Sequence, residues 1–302
     1  MMIFTSIYGV VDGFFVSNFV GKIPFAAVNL VMPFIMVLGG VGFMVGTGGS
    51  ALVAKTLGEG KQELANRYFT MMVKLTVILG LLLSLAGIIF IRPISYLLGA
   101  TDAMIGDCVV YGRTTLLFNT AFMLQNVFQT FLSTAEKPKL GLAATVTAGI
   151  TNIILDALFI AVFQWGVAGA ALATGIGECM GGLLPFIYFI RPNDSRLQLV
   201  KSKIEGRTLL KACANGSSEL MSSISTSLIS VVYNLQLLRF AGENGVAAYG
   251  TIMYIQFIFI AIFIGYTIGA SPIVSYHFGA GNHTKLNNLL KKSLCIVSLA
   301  GV

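Results

Sequence analysis

A chain of 302 residues that is 56% hydrophobic and only 10% charged, with a mean hydropathy of +0.86, lies far from soluble domains, where about a quarter of residues are charged. That composition excludes a soluble globular protein and predicts an all-α polytopic membrane protein. Four dispersed cysteines (Cys108, Cys179, Cys213, Cys295) without a C-x-x-C pair, and two histidines (His277, His283) without ligand spacing, argue against a disulfide scaffold or a structural metal.

Apolar runs long enough to span a bilayer lie near 3–19, 26–54, 69–91, 105–133, 139–163, 166–190, 208–238, 244–278 and 286–302. These are nine predicted helices. The first opens directly after Met1 and contains Asp12, with no basic leader or small-residue cleavage site, so a signal peptide is not expected. The ninth is still apolar at Val302, which predicts a piece of something longer.

The connections near 55–74, 134–139, 191–211 and 283–292 hold 15 of the 19 Lys and Arg residues, and the opposite side keeps only Lys22, Arg92, Arg113 and Arg239. The positive-inside rule puts the first set in the cytoplasm. The net charge of +7 is thus read as topology rather than as a nucleic-acid footprint.

GTGGSALVAKTLGEGKQELANRYF (46–69) and TIGASPIVSYHFGAGNHTKLNNLL (267–290) follow the same plan, a small-residue helix, a G-x-G turn and a Lys-containing helix start. The offset of 221 holds without a gap from residue 3 to 81, giving fifteen identities that include Gly21, Gly48, Gly58 and Gly60. Helices seven to nine therefore repeat helices one to three in the same direction, as parallel repeats, and substrate sites in such transporters lie between the halves. The division expected is a first lobe 1–190, a polar and basic cytoplasmic linker 191–207, and a partial second lobe 208–302. A six-helix repeat unit implies twelve helices, of which about nine are present.

Four acids fall inside apolar spans: Asp12, Asp156, Glu178 and Glu219. Each costs a few kcal/mol near a bilayer centre, so each is a functional candidate. Asp12 lies nine residues before Gly21 and Asp156 eight before Gln164, both about 12–14 Å below the outer boundary at 1.5 Å per residue. Thr174 and Tyr111 reach the same depth on returning helices, and Asn152 shares a helix face with Asp156. Two carboxylates in one apolar cavity cannot both be cheaply ionised, so the pair is expected to bind a proton, a small cation, or both in turn. Glu178, one turn inward of Thr174, and Glu219 are secondary candidates. The glycine runs 39–49 and 166–175 read as close helix packing, and neither G-x-G completes a nucleotide fingerprint.

YGVVDGFFV (8–16) with Gly21 and AAV (26–28), GTGGSALVAKTLGEGK (46–61), EKPKL (136–140), TNIILDALFI (151–160), WGVAGAALAT (165–174) and SYHFGAGN (275–282) together resemble the MATE family, the multidrug and toxic compound extrusion antiporters, in its prokaryotic DinF-like branch. The resemblance implies a two-lobe helical transporter in the cell membrane, in contact with lipid and acting as a monomer. It implies export of small organic cations in exchange for H⁺ or Na⁺, with no other cofactor and no enzymatic activity. It also implies that Asp12, Asn152, Asp156 and Thr174, with Tyr111, form the coupling site, where Na⁺ could be held.

The alternatives separate on residues. An intramembrane aspartyl protease would need Y-D and G-x-G-D, whereas Asp12 follows Val11 and Asp156 follows Leu155. A lipid-precursor flippase would line its cavity with basic residues, and the cavity-depth candidates are acidic. A non-functional fragment of such a transporter is the remaining reading.

Overall fold

The computed structural model describes the backbone from 2 to 300, with the side chains of all but residues 2, 3, 6, 8, 254, 255, 257, 258, 299 and 300. The last two residues of the ninth predicted span, 301 and 302, lie outside the described residues.

The described residues form helices and turns, with no strand among them. In chain order these are α1 (Met2–Phe15, running on as a π-helical turn Val16–Val20), α2 (Lys22–Gly58), α3 (Gln62–Leu97), α4 (Ile105–Thr134) and α5 (Pro138–Asp156, followed by the π-helix Ala157–Val162). After α6 (Gly166–Ile190) the helical segment Gly206–Gly279 breaks at Gly242, where φ is 62° and ψ −157°, into α7 (206–241) and α8 (243–279); α9 is His283–Ala300. Nine helices among the described residues match the nine predicted spans.

Among the described residues, five helical segments are long and apolar enough to cross a membrane by length and composition: Lys22–Gly58, Gln62–Leu97, Pro138–Val162, Gly166–Ile190 and Phe259–Gly279. The exposed face of α3, with Leu81, Leu82, Leu85, Ile89 and Phe90, is the surface that lipid would cover. α4 is less apolar because it turns polar side chains inward: Asn119, Gln125, Asn126, Gln129 and Thr130 are all buried.

α4 lies at the centre of the first six helices, packed against α2, α3, α5 and α6, and α1 packs on α5. One apolar core joins Val28, Val31, Ile91, Tyr111 and Ala170 towards the end of the bundle away from the 191–205 connection. A second, nearer that connection, centres on Phe69, Phe128, Phe131 and Phe189, whose rings meet at 4.8–5.8 Å between centroids. Aromatic pairs at such spacing add about 0.5–1.5 kcal/mol each beyond area burial.

The internal repeat has a backbone counterpart. Gly21 and Gly242 both take positive φ (126° and 62°) where one helix gives way to the next, and Gly60 and Gly281 do so (78° and 67°) in the turns after α2 and α8. Both pairs are 221 residues apart, and a side chain would strain each turn. α2 and α8, equivalent helices of the two copies, cross each other through equivalent residues. A Cβ on Gly58 would strike the Tyr276 carbonyl, and one on Gly279 would strike the Lys55 carbonyl. At the other end a Cβ on Gly250 would overlap the side chain of Asn29, its own repeat partner. Reciprocal contacts of this kind are those of a local twofold axis running between α2 and α8.

The connection 191–205 is not helical, yet it is tied down along α3. Val200 N–H donates to Thr70 Oγ1 (3.0 Å), Gln198 N–H to Asn66 Oδ1 (3.1 Å), and Lys74 Nζ to the Ser202 carbonyl (2.9 Å). Gln62 Nε2 donates to the Arg196 carbonyl. Asp194 is bound by Lys137 (3.0 Å) and accepts from Tyr188 Oη (3.2 Å), and these partners, led by Lys137, hold its carboxyl below the ordinary aspartate range. This tie is therefore present above the ordinary aspartate range and is lost as pH falls through the depressed value. Arg196 bridges two parts of the chain: its Nε meets Glu136 Oε1 at 3.1 Å, and its guanidinium lies 5.8 Å from the centre of the Tyr276 ring on α8.

Replacing both Asn66 by Ala and Thr70 by Val removes the side-chain acceptors of two linker N–H groups, at about 1 kcal/mol each. Faster limited trypsin cleavage at Lys201 and Lys203, with the helical core left intact on a gel, is the expected result.

Candidate functional site

Local sequence decides where the two acids stand. Asp12 sits on α1 one turn before the π-helical turn Val16–Val20, and Asp156 is the last α-helical residue of α5 before Ala157–Val162. π-helical turns are rare, and they are found frequently at functional sites. In α1 the Phe14 carbonyl accepts from Ser17 Oγ (3.1 Å) and Asn18 Nδ2 (2.8 Å), so polar side chains compensate the disturbed ladder. Hydrophobic periodicity carries no signal for such turns. The Ser-Asn pair at 17–18 is the one local hint of them, and span and depth make no use of it.

The structure brings Asp12 and Asp156 together. α1 packs on α5, the two carboxyls interact directly, and each is the other's electrostatic partner. They are 4% and 0% exposed. Yet Asp12 Oδ1 and both Asp156 oxygens lack any donor within hydrogen-bonding distance. Leaving such atoms unpaired costs about 1–3 kcal/mol apiece, more for charged groups, so the pair holds unmet acceptor capacity in a buried place.

The other candidates sit as follows. Asn152 is buried one turn before Asp156, and both its side-chain polar atoms lack partners. It packs against α6, where a Cβ on Gly177 would lie 3.1 Å from the Asn152 Cβ. Thr174 lies three residues before Gly177 on α6, half-buried, with Oγ1 unpartnered. Tyr111 is buried on α4 within the apolar core. Glu178, 7% exposed, lies one turn beyond Thr174. Glu219 is half-buried on α7, one residue from Leu220, whose side chain faces Gly40 of α2, and so belongs to the contact between α2 and α7. Its placement does not join it to the two aspartates.

A separate cavity of about 440 Å³ opens at the end of the bundle opposite the linker, lined by Lys22, Gly99, Thr101, Gly242, Glu243 and Asn244. Thr101 Oγ1 donates to Glu243 Oε1 across it at 2.9 Å. None of the aspartates lines it, so the buried pair, rather than this open depression, is the chemically loaded place. No cluster of three or more His, Cys, Asp or Glu suited to a metal occurs among the described residues.

Known proteins fit this architecture. The multidrug export protein MepA of Staphylococcus saprophyticus is 26% identical over 287 residues, covering 94% of this chain and 63% of the relative. MepA of Staphylococcus haemolyticus is 26% identical over 297 residues, covering 97% and 64%. The chain thus spans a little under two thirds of the length of these relatives. Among solved structures, the MATE multidrug transporter DinF-BH, solved in complex with a ligand, superposes with a TM-score of 0.91 at 25% identity, over 99% of this chain and 67% of that one. The inward-facing conformation of a multidrug resistance MATE family transporter superposes at 0.82, with 24% identity over 99% and 68%, and speaks for the fold alone. The MatE family model matches residues 1–158 and 220–302, the second segment starting two residues from where the offset of 221 places the partner of residue 1. With most of its length matched, this chain belongs to the MatE family.

Proposed function

We propose that the protein works as a secondary antiporter of the cytoplasmic membrane, exporting small organic cations or drugs in exchange for H⁺ or Na⁺, and that it is not an enzyme. The observation that carries this reading is the buried Asp12–Asp156 pair with three unpartnered oxygens. The pair can take one positive charge at a time, a proton or a small cation, which is what exchange against an ion gradient requires. Asn152 and Thr174 offer further oxygens to a bound ion, and Tyr111 faces the same bundle interior. The relatives named as multidrug export proteins support drug-like cargo.

In this reading residues 1–190 form one lobe, 191–207 the linker on the cytoplasmic face, and 208–302 the part of a second lobe that rocks against the first about the α2–α8 axis. The protein acts as a monomer in the bilayer. Its bound ion is its sole cofactor, and nucleic acid is not a partner. A lipid-precursor flippase is less well supported because the buried ionisable side chains on α1, α5 and α6 are acidic.

The test is uptake of a fluorescent organic cation into everted membrane vesicles, with a proton gradient or a sodium gradient imposed separately. Uptake driven by one gradient and collapsed by its ionophore is expected. Uptake that neither gradient drives, or transport confined to anionic lipid precursors, would sink this reading.

A further inference from the structure

Glu178 stands at the middle of α6, twelve residues from Gly166 and twelve from Ile190, so about 18 Å of helix separates it from either end. It is 7% exposed, and Oε2 has no partner. The ion pairs among the described residues involve Lys55, Lys61, Lys137 and Arg196, all at helix ends or in the linker, so Glu178 shares none of them.

The groups that cover the neighbouring positions of α6 are uncharged, with Phe118 over Gly175. From α4, Gln125 covers this part of α6: a Cβ on Gly181 would lie 2.6 Å from Gln125 Cδ, and one on Gly182 2.9 Å from the Ala121 carbonyl. The charged residues of α4, Asp107 and Arg113, fall in its first third, three turns or more before Gln125. From α5, Asn152 covers Gly177; Lys139 is the second residue of that helix, and Asp156 lies one turn beyond Asn152. On α6 itself the near groups are Thr174 and Cys179.

Around this part of α6 the unmet atoms are of both kinds: Gln125 Oε1 and Asn152 Oδ1 are acceptors, Asn152 Nδ2 is a donor, and Thr174 Oγ1 can be either. No ion pair among the described residues includes Glu178, so an ionised carboxylate would be buried there without a cation. A protonated one is neutral and can donate to a free acceptor.

We propose that Glu178 is a second proton-holding carboxyl, distinct from the Asp12–Asp156 pair and displaced toward the linker side, and that a proton leaving the pair passes through it. The pass-through step rests on the antiport reading; the protonation of Glu178 does not. In that step the proton on the aspartate pair is taken up by a Glu178 carboxylate that has just released its own proton toward the linker side, so one proton enters and one leaves.

The experiment is pH-titrated infrared difference spectroscopy of the purified full chain in lipid, comparing wild type, Asp12→Asn/Asp156→Asn and Glu178→Gln. A protonated-carboxyl carbonyl band at neutral pH that survives in the double variant and disappears in Glu178→Gln is expected. If Glu178→Gln leaves every such band in place, the site is overturned. Should that variant fail to fold, Glu178→Asp gives the same test, because moving the carboxyl by one methylene must shift a band that belongs to it.

The transfer step is read by gradient-driven export. Glu178→Gln should slow it roughly tenfold or more and flatten its pH profile, with Glu178→Asp recovering part of both. Wild-type rate and pH profile in Glu178→Gln would overturn the transfer step. Absence of export in the wild type itself would count against the antiport reading while leaving the infrared result standing.

Discussion

Asp156→Asn is expected to reduce gradient-driven export by roughly a hundredfold, about 2.7 kcal/mol, at unchanged membrane expression. The substitution keeps size and shape but removes the charge that a proton or cation would neutralise. Asp156 is fully buried and its one side-chain partner is Asp12, so no ion pair is broken and the Asn amide can still face the Asp12 carboxyl. Asp12→Asn should do the same, because the two carboxyls face one another and share one burden. The double variant should be little worse than the worse single one, as expected of groups acting as a unit. Asp156→Leu removes an acid that costs about 2.5–3.5 kcal/mol near a helix centre on insertion scales, so insertion should be no poorer and folding preserved. The measurement is export of a fluorescent cation by cells expressing each variant at matched levels. Parental export by either single Asn variant would make the pair structural rather than functional.

The second large effect is expected at the crossing of α2 and α8. Gly58→Ala and Gly279→Ala each place a methyl group against the backbone carbonyl of the facing helix, Tyr276 and Lys55 respectively, where no side chain can yield. Each should destabilise the detergent-solubilised protein by about 1–3 kcal/mol, the usual range for overpacking. The two losses should be nearly equal because the positions are equivalent in the repeat. Their sum should exceed the loss in the double variant, since separating the helices once accommodates both methyl groups. Gly106→Ala is the control: nothing lies within 4 Å of its Cβ, and alanine favours the helix. Thermal unfolding followed by loss of monodisperse protein on gel filtration gives the readout. Unchanged midpoints for Gly58→Ala and Gly279→Ala would mean that the crossing is loose.

Nine helices were legible in the sequence because a bilayer demands about twenty apolar residues per span, and that demand is local. α4 was legible for the same reason even though it is rich in Asn, Gln and Thr, since its polar residues are interspersed with enough apolar ones to keep the run unbroken. The shared depth of Asp12 and Asp156 followed from counting residues to the nearest helix end, which needs only the rise of a helix. The repeat was legible in glycine positions because backbone conformations with positive φ admit few other residues, as Gly21, Gly60, Gly242 and Gly281 show.

What the chain alone determined is therefore what depends on one helix at a time: span, distance from a helix end, and the repeat offset. Three things were decided only by tertiary structure. Whether two acids at one depth also share one face depends on how α1 rotates against α5, and rotation is set by packing on both sides of each helix. The π-helical turns that follow Asp12 and Asp156 depend on what the adjoining helices leave room for, and no periodicity announces them. That Glu178 has no cation partner among the described residues depends on which residues of α4 and α5 come to cover its part of α6, and those residues, Ala121, Gln125 and Asn152, are 26 to 57 positions away from it in the chain. Depth is a one-dimensional property that a sequence carries directly, whereas adjacency across helices is fixed by side-chain packing between segments that the sequence writes far apart.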